Sequence, residues 1–409
     1  MTAVAELDLP KFDYTDPSLR GERFHDTMRE LREQSWIATS EFGFFVLDRE
    51  ASGFFLRTRK AQFPGVYMFD LLGIDEGPLR ESLSRNILTL GGEQHARLRA
   101  LVQPSFTPKA ADRYRPAMRE YLGQLWQKVA DAGRCDFVRE FAKPYPALMI
   151  ATVVGAPLED AQKLHRLSNL LQQQFDAIAL MTRRAELEEA AAEFDVYARK
   201  LVEDRRQSPG QDLVSELITA EQEGDRLSDE ECVSLVRDVL NGGVDTTQSQ
   251  LSHGVRMFAD HPAQWEMLAN DPSLAPRAAE EVLRFEPVAP FTARIMLEEV
   301  EFRDVTFPAG TVVIACSWTA NRESEGDEDP SSFDIGSERG AAKSLTFGAG
   351  PPFCLGANLA RAELQEGLGF LAPRMPGLAL DGDPAYDTIT GIYGMHSLPV
   401  RWGEPAARE

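Results

Sequence analysis

Phe347-Gly348-Ala349-Gly350-Pro351-Pro352-Phe353-Cys354-Leu355-Gly356 is the stretch that decides how the rest of the chain is read. Its glycines let a backbone approach a flat ligand closely, and its two prolines stiffen the loop. Cys354 stands just before a helical stretch, LGANLARAELQEGL, whose N-terminal N–H groups and dipole favour a thiolate over a thiol. A stiff loop offering one thiolate, with no second metal ligand nearby in sequence, suits an axial haem ligand. The local spacing fits a structural cysteine held in a turn equally well.

The surrounding chain narrows the choice. Its 409 residues are 43% hydrophobic and 26% charged, an ordinary globular balance with material for a large core. The formal charge of −22 speaks against nucleic-acid binding, which needs a cationic face. The apolar run from Pro146 to Leu158 is shorter than the roughly 20 residues of a membrane span, so no membrane insertion is expected. The opening MTAVAELDLPKFDYTDPS carries neither a basic nor an apolar leader region. Cys135, Cys232, Cys316 and Cys354 lie far apart, which argues against disulfides or a thiolate zinc site. A cytoplasmic protein with reduced thiols is expected.

No repeat, low-complexity run or long linker divides residues 1–409, so a single domain is expected. Trp36 to Asp48 reads as two short strands around Gly43. From Glu93 to Leu251 the helical period dominates. Met118, Tyr121, Leu122, Leu125, Trp126 and Val129 form one stripe, with Gly133 as the stop. Asp229 to about Gly254 reads as one apolar helix interrupted at Gly242 and Gly243. The piece RIMLEEVEFRDVTFPAGTVVIACSW alternates and turns at Pro308-Ala309-Gly310, which predicts a small sheet. The fold class is therefore mainly α with a small β portion, a β-richer N-terminal part and residues 287–345 packing on a helical core.

The segment Phe347 to Arg361, F-G-x-G-x-x-x-C-L-G-x-x-L-A-R, resembles the haem loop of the cytochrome P450 family. Glu281-Val282-Leu283-Arg284 resembles that family's E-x-x-R helix, and Gly243-Val244-Asp245-Thr246-Thr247 its oxygen-activation motif. The motifs occur in family order, and the likeness covers essentially the whole chain and is closest to soluble bacterial members.

The resemblance implies haem b, iron protoporphyrin IX, held between a long central helix and the cysteine-loop helix, with Cys354 as the metal ligand. Phe347, Gly348, Gly350 and Gly356 then shape the loop around it. His95 and Arg99, one helical turn apart, reach the haem propionates with Arg294. Pro352 stands where the family usually has a His or Arg for a propionate, and it can donate through neither side chain nor backbone. Glu281 and Arg284 take a structural role, with Arg339 as the third member. Thr246 donates to dioxygen at the haem and Asp245 gates protons; a mid-helix Thr hydroxyl also back-bonds to an i−4 carbonyl, here that of Gly242. Family correspondence points to Tyr67–Ile87, Leu170–Met181, Val239, Val288, Phe291, Thr292, Ile392 and Tyr393 as pocket lining.

The function so implied is a haem-thiolate monooxygenase inserting one oxygen atom from O2 into an apolar compound, such as a steroid, terpenoid or polyketide. The chain has no flavin or iron–sulfur motif, so a ferredoxin and its reductase would bring electrons, with NAD(P)H used only indirectly. Lys109, Arg113, Arg115 and Arg119 read either as a docking patch for that partner or as a solvated helix face. A peroxygenase or oxidative coupling enzyme is the alternative, which the intact Asp245-Thr246 pair argues against. A non-catalytic haem-based sensor is remote, because no output domain is recognisable. A monomer is expected.

Overall fold

The apolar period between Glu93 and Leu251 becomes a stack of helices. A computed structural model describes residues 2–222, 227–323, 329–337 and 344–403. Its main helices are α1 (Gly21–Gln34), α2 (Arg49–Arg57), α3 (Pro78–Ser84), α4 (Gly92–Val102), α5 (Arg115–Gln127), α6 (Pro144–Val154), α7 (Ala161–Gln172) and α8 (Arg184–Gln207). They continue with α9 (Asp229–Gly242), α10 (Asp245–Asp260), α11 (Pro262–Asn270), α12 (Ala275–Phe285) and α13 (Ala357–Leu371). The α5 stripe of Met118, Tyr121, Leu122 and Leu125 is buried, and a short 3-10 turn leads from the helix to Gly133 at φ 65°. Ser228 and Glu231 form a reciprocal capping box at the start of α9, the favoured way to satisfy first-turn N–H groups.

The β portion is small. A five-stranded sheet contains β1 (Ile37–Ser40), β2 (Gly43–Val46), β3 (Ala61–Gln62), β4 (Phe291–Met296) and β5 (Val312–Cys316), in the order β1-β2-β5-β4-β3. The β1–β2 hairpin turns at Gly43 as the sequence predicts, with Ile37 opposite Val46. Only β2 and β5 pair in parallel, with Phe44 opposite Val313. One apolar cluster joins Val46, Phe55, Phe307 and Val313; another, rich in aromatic rings, joins Phe12, Phe24, Phe45, Trp318 and Tyr393. The helices share a third and much larger cluster, which includes Met118, Leu164, Val255 and Phe258.

The expected single helix over residues 229–254 is broken. α9 ends at Gly242 and α10 begins at Asp245, with Val244 at φ −108° and ψ −69° between them. A β-carbon on Gly243 would come within 2.5 Å of Ile150 Cδ1, so α6 can lie this close only against glycine. One on Gly242 would meet nothing within 4 Å. The Asn241 carbonyl at the break accepts from Ser168 Oγ at 2.7 Å and Gln172 Nε2 at 3.1 Å, both on α7.

On α12, Arg284 and Glu281 form a two-pronged pair at 2.7 and 2.8 Å, with side chains 12% and 6% exposed. Arg284 also donates to the carbonyls of Asn321, Pro330 and Ser332, and Glu281 accepts from the Asp334 N–H at 2.9 Å. The pair thus fastens the irregular segment after β5 to the helical core. Arg339, the expected third member, lies outside the described residues. Breaking a buried, hydrogen-bonded charge pair from one side costs about 3–5 kcal/mol. Glu281→Gln and Arg284→Ala are each expected to destabilise by that order in urea unfolding, and the double variant by far less than their sum. Additive losses would show that the two side chains act independently.

Candidate functional site

The glycine-rich loop is closed by its own backbone. Cys354 N–H donates to the Phe347 carbonyl at 2.9 Å, and Phe353 N–H to that of Gly350 at 3.1 Å. Gly348 and Gly350 have φ of 75° and 77°, a conformation that costs a residue with a β-carbon energy. At Gly350 such a carbon would also press on the Leu56 carbonyl at 3.0 Å and Arg57 Cα at 3.1 Å, so the loop lies directly on the end of α2. Cys354 then meets the start of α13, where the Gly356 and Ala357 N–H groups favour a negative sulfur. The thiol is reachable by solvent, yet protein surrounds it closely enough for burial to push its pKa up. Arg99 and Arg361 oppose that rise electrostatically.

Three basic side chains are candidates to meet an anionic group, of which Arg99 lies within electrostatic reach of this thiol. Arg294 on β4 is 3% exposed and donates only to the Ala293 carbonyl; burial without a carboxylate partner pushes it down to about 10. His95 and Arg99 on α4 are partly buried, and burial lowers both, His95 further through the nearby Arg99 charge. Among the described residues, no carboxylate pairs with any of the three. Such charges are normally matched, so an unmatched set points to a partner outside the chain. A β-carbon on Gly356 would meet nothing within 4 Å, which leaves room for a flat ring against the loop. These residues fit haem with its two carboxylates. Pro352 adds no donor, so His95, Arg99 and Arg294 are the side chains that would hold those carboxylates.

On the broken central helix, Thr246 Oγ1 donates to the Gly242 carbonyl at 3.0 Å, the back-bond expected from the sequence. Asp245 is buried, and its Oδ1 accepts from Asn169 Nδ2 on α7 at 2.8 Å. Burial pushes its carboxyl up to about 7; Asp387 adds to the rise, while Asn169 and Lys143 oppose it. One turn along, Gln248 Oε1 lies 2.7 Å from His165 Nε2. Sequence reading missed Asn169, His165, Ser168 and Gln172. Their only local signal is polar residues on an otherwise apolar α7 face.

The expected pocket residues separate. Val239 and Val288 are nearly buried, and Thr292 and Ile392 are half-buried. Strand alternation puts Thr292 on the face of Arg294. Phe291 points to the other face, with ring centroids 5.2 to 6.0 Å from Phe45, Tyr14, Phe12 and Phe24. Tyr393 is 1% exposed, stacks on Tyr386 and accepts from the Gly21 N–H at 2.7 Å. Both belong to the aromatic core instead of a cavity wall. The proposed basic patch is largely committed too. Arg113 pairs with Glu216, Arg115 with Asp112 and Glu366, and Arg119 with Glu366, leaving Lys109 as its cation without a carboxylate among the described residues.

A family model described as Cytochrome P450 matches residues 76–371. The chain is 36% identical over 411 residues to luteothin monooxygenase of Streptomyces thioluteus, covering 98% of both proteins. It is 34% identical to cytochrome P450 monooxygenase PikC of Streptomyces venezuelae, covering 81% of this chain and 80% of PikC. The crystal structure of CalO2 superposes with a TM-score of 0.89 at 29% identity, over 97% of this chain and 99% of that one. The chain belongs to the cytochrome P450 family, whose members use haem and O2. It is an oxidoreductase of the monooxygenase class. No helix among the described residues is long and apolar enough to cross a membrane.

An unmatched buried guanidinium has opposite effects with and without its anion. Arg294→Leu is expected to stabilise the haem-free protein by about 1–3 kcal/mol, because a buried charge is lost. It should also speed haem transfer to an acceptor globin by roughly tenfold or more, because a charge-assisted hydrogen bond is lost. Unfolding of the haem-free protein and the transfer rate check the two signs separately.

Proposed function

We propose that the protein is a haem-thiolate monooxygenase that takes electrons from an external ferredoxin and reductase and hydroxylates an apolar organic compound. Bound haem would supply a thiolate-ligated iron at which O2, two electrons and two protons yield one oxygen atom for the substrate and one water. The observation that carries the reading is Cys354 at the start of α13, with helix N–H groups beside its sulfur and Arg99 within electrostatic reach.

The residues divide the work by position. Cys354 would hold the iron, and His95, Arg99 and Arg294 the propionates. Phe347 is steadied by the Arg361 guanidinium 4.6 Å from its ring centre, so a rigid apolar wall stands beside the thiol. Val239, Val288, Thr292 and Ile392 remain as candidates for the substrate wall, and their mainly apolar character supports an apolar substrate. Similarity to an enzyme named for luteothin supports a bacterial secondary metabolite as the substrate. NAD(P)H would act only through the redox partners.

Asp245 would relay protons toward its sequence neighbour Thr246. The carboxyl's hydrogen-bond partner Asn169 is neutral, and the Lys143 charge opposes the rise in pKa without overcoming burial. Two tests follow from these placements. The reduced carbonyl complex should show the red-shifted Soret band of thiolate ligation, which Cys354→Ser abolishes while Cys135→Ser, Cys232→Ser and Cys316→Ser leave it. A normal band in Cys354→Ser sinks the assignment. With Asp245 as proton donor, product formed per NAD(P)H should fall as the pH rises through about 7, because the carboxyl then loses the proton it passes on. Asp245→Asn should give low, pH-independent coupling, with the missing electrons recovered as hydrogen peroxide.

A further inference from the structure

Asp238, on α9 beside Val239, is a buried carboxylate for which the reaction has no use. Both of its oxygens are taken by the loop between α3 and α4. Oδ1 accepts from Asn86 Nδ2 at 2.9 Å and Oδ2 from the Ile87 N–H at 2.8 Å. Asn86 in turn accepts the Leu88 N–H at 2.8 Å, and Thr89 Oγ1 closes the loop on the carbonyls of Leu83 and Asn86 at 2.6 and 2.8 Å. The neighbouring Arg237, 2% exposed, donates to the Ser82 carbonyl at 3.0 Å in the last turn of α3. Leu88, at the loop's tip, is 43% exposed, while Ile87 and Leu90 pack in part against the helical core, so the polar contacts share the attachment with a limited apolar one. The loop leads directly into α4, which bears His95 and Arg99.

We propose that Asp238 is a positioning residue for substrate access, its carboxylate latching residues 85–91 against the central helix beside the pocket, so that release of the latch sets how fast an apolar ligand reaches the haem. The proposal rests on the monooxygenase reading for what lies behind the loop, but not for the latch itself.

The latch has a pH signature of definite sign. Burial pushes the Asp238 carboxyl up to about 6, against the opposing pull of Arg237 at 3.7 Å and the Ile87 N–H. The charged groups around it are matched elsewhere. Arg85 on the loop pairs with Glu230, while Asp195 and Arg199 on α8 pair with Arg237, Glu230 and each other. On α7, Lys163 and Arg166 pair with Glu193, and His165 faces Gln248. On helix Leu213–Gln222, Glu216 and Glu221 pair with Arg113 and Arg206. With the loop displaced, the hydrated carboxyl returns toward about 4. The closed arrangement therefore binds its proton more tightly, and raising the pH between these values favours opening, by a factor of ten per unit of difference.

Stopped-flow binding of 4-phenylimidazole to the haem-loaded protein, followed by the Soret shift, tests this. Asp238→Ala, which leaves both loop donors unpaired, should bind at least fivefold faster than wild type at pH 7. The ratio of the wild-type to the Asp238→Asn rate, which cancels the probe's own titration, should rise several-fold between pH 5 and pH 7.5. Asn86→Ala, altered from the loop side, should bind faster even if Asp238→Ala fails to fold. Amide exchange at Ile87 should accelerate in the same variants, and it reads the latch whether or not the reaction assignment holds. Binding and exchange unchanged in Asp238→Ala or Asn86→Ala, or a rate ratio flat with pH, overturns the proposal.

Discussion

Two backbone carbonyls at one break in the central helix set the terms for the rest of the site. A helix that stops at Gly242 and restarts at Asp245 leaves acceptors of its last turn in need of donors. An unsatisfied buried carbonyl costs about 1–3 kcal/mol, so the break persists only if donors arrive from outside the backbone. Ser168 and Gln172 on α7 supply them at Asn241, and the Thr246 hydroxyl does so at Gly242. The same α7 face holds Asp245 through Asn169. A single gap in helical hydrogen bonding therefore fixes where α7 lies, how Asp245 points and where the Thr246 hydroxyl rests. Gly243 makes the gap possible by admitting Ile150 so closely, and Gly242 leaves its other side open.

Charge follows a second logic. The chain carries a formal charge of −22, yet Arg99, within electrostatic reach of Cys354, and the buried Arg294 have no carboxylate partner among the described residues. Elsewhere the arginines are paired closely, down to Arg115 and Arg119 sharing Glu366. Arg294 and Arg99 are cations without a carboxylate partner among the described residues, while the matched buried pair Glu281 with Arg284 holds chain segments together. Matching makes that pair a fastener for the chain around Asn321 to Asp334. Absence of matching makes the other group receptive to a dianionic cofactor. Arg115 and Arg119, committed to Glu366, also leave less free positive charge for a redox partner than the sequence suggests.

Local motifs were legible because local geometry decides them. The cysteine loop, the i, i+3 pair on α12 and the Thr246 back-bond each span only a few residues, so residue type and spacing sufficed. What escaped depends on partners far away in the chain. Asn169 meets Asp245 across 76 residues, and no periodicity in α7 announces it. Phe291 and Tyr393 were expected in the pocket from family correspondence, which local sequence cannot check. The strand's alternation turns Phe291 the opposite way from Arg294, and an aromatic cluster around Phe24 takes up both rings. The helix break was half visible: Gly-Gly marked its place, but the donors that stabilise it lie on another helix.

The central helix therefore works with two faces that need different rigidity. Toward the cysteine loop it must be fixed, since a proton donor displaced by an ångström loses its acceptor. Toward the loop at residues 85–91 it holds on through Arg237 and Asp238, contacts that water can replace. An apolar seal on that side would resist opening in proportion to the area buried, whereas two hydrogen bonds to one buried carboxylate can be exchanged for hydration at modest net cost. Between the faces lie only Val239, Leu240 and Asn241, one helical turn. That turn carries a polar fastening at one end and the satisfied break at the other, which on the proposed reading lets a movable wall and a fixed proton-transfer group share one helix.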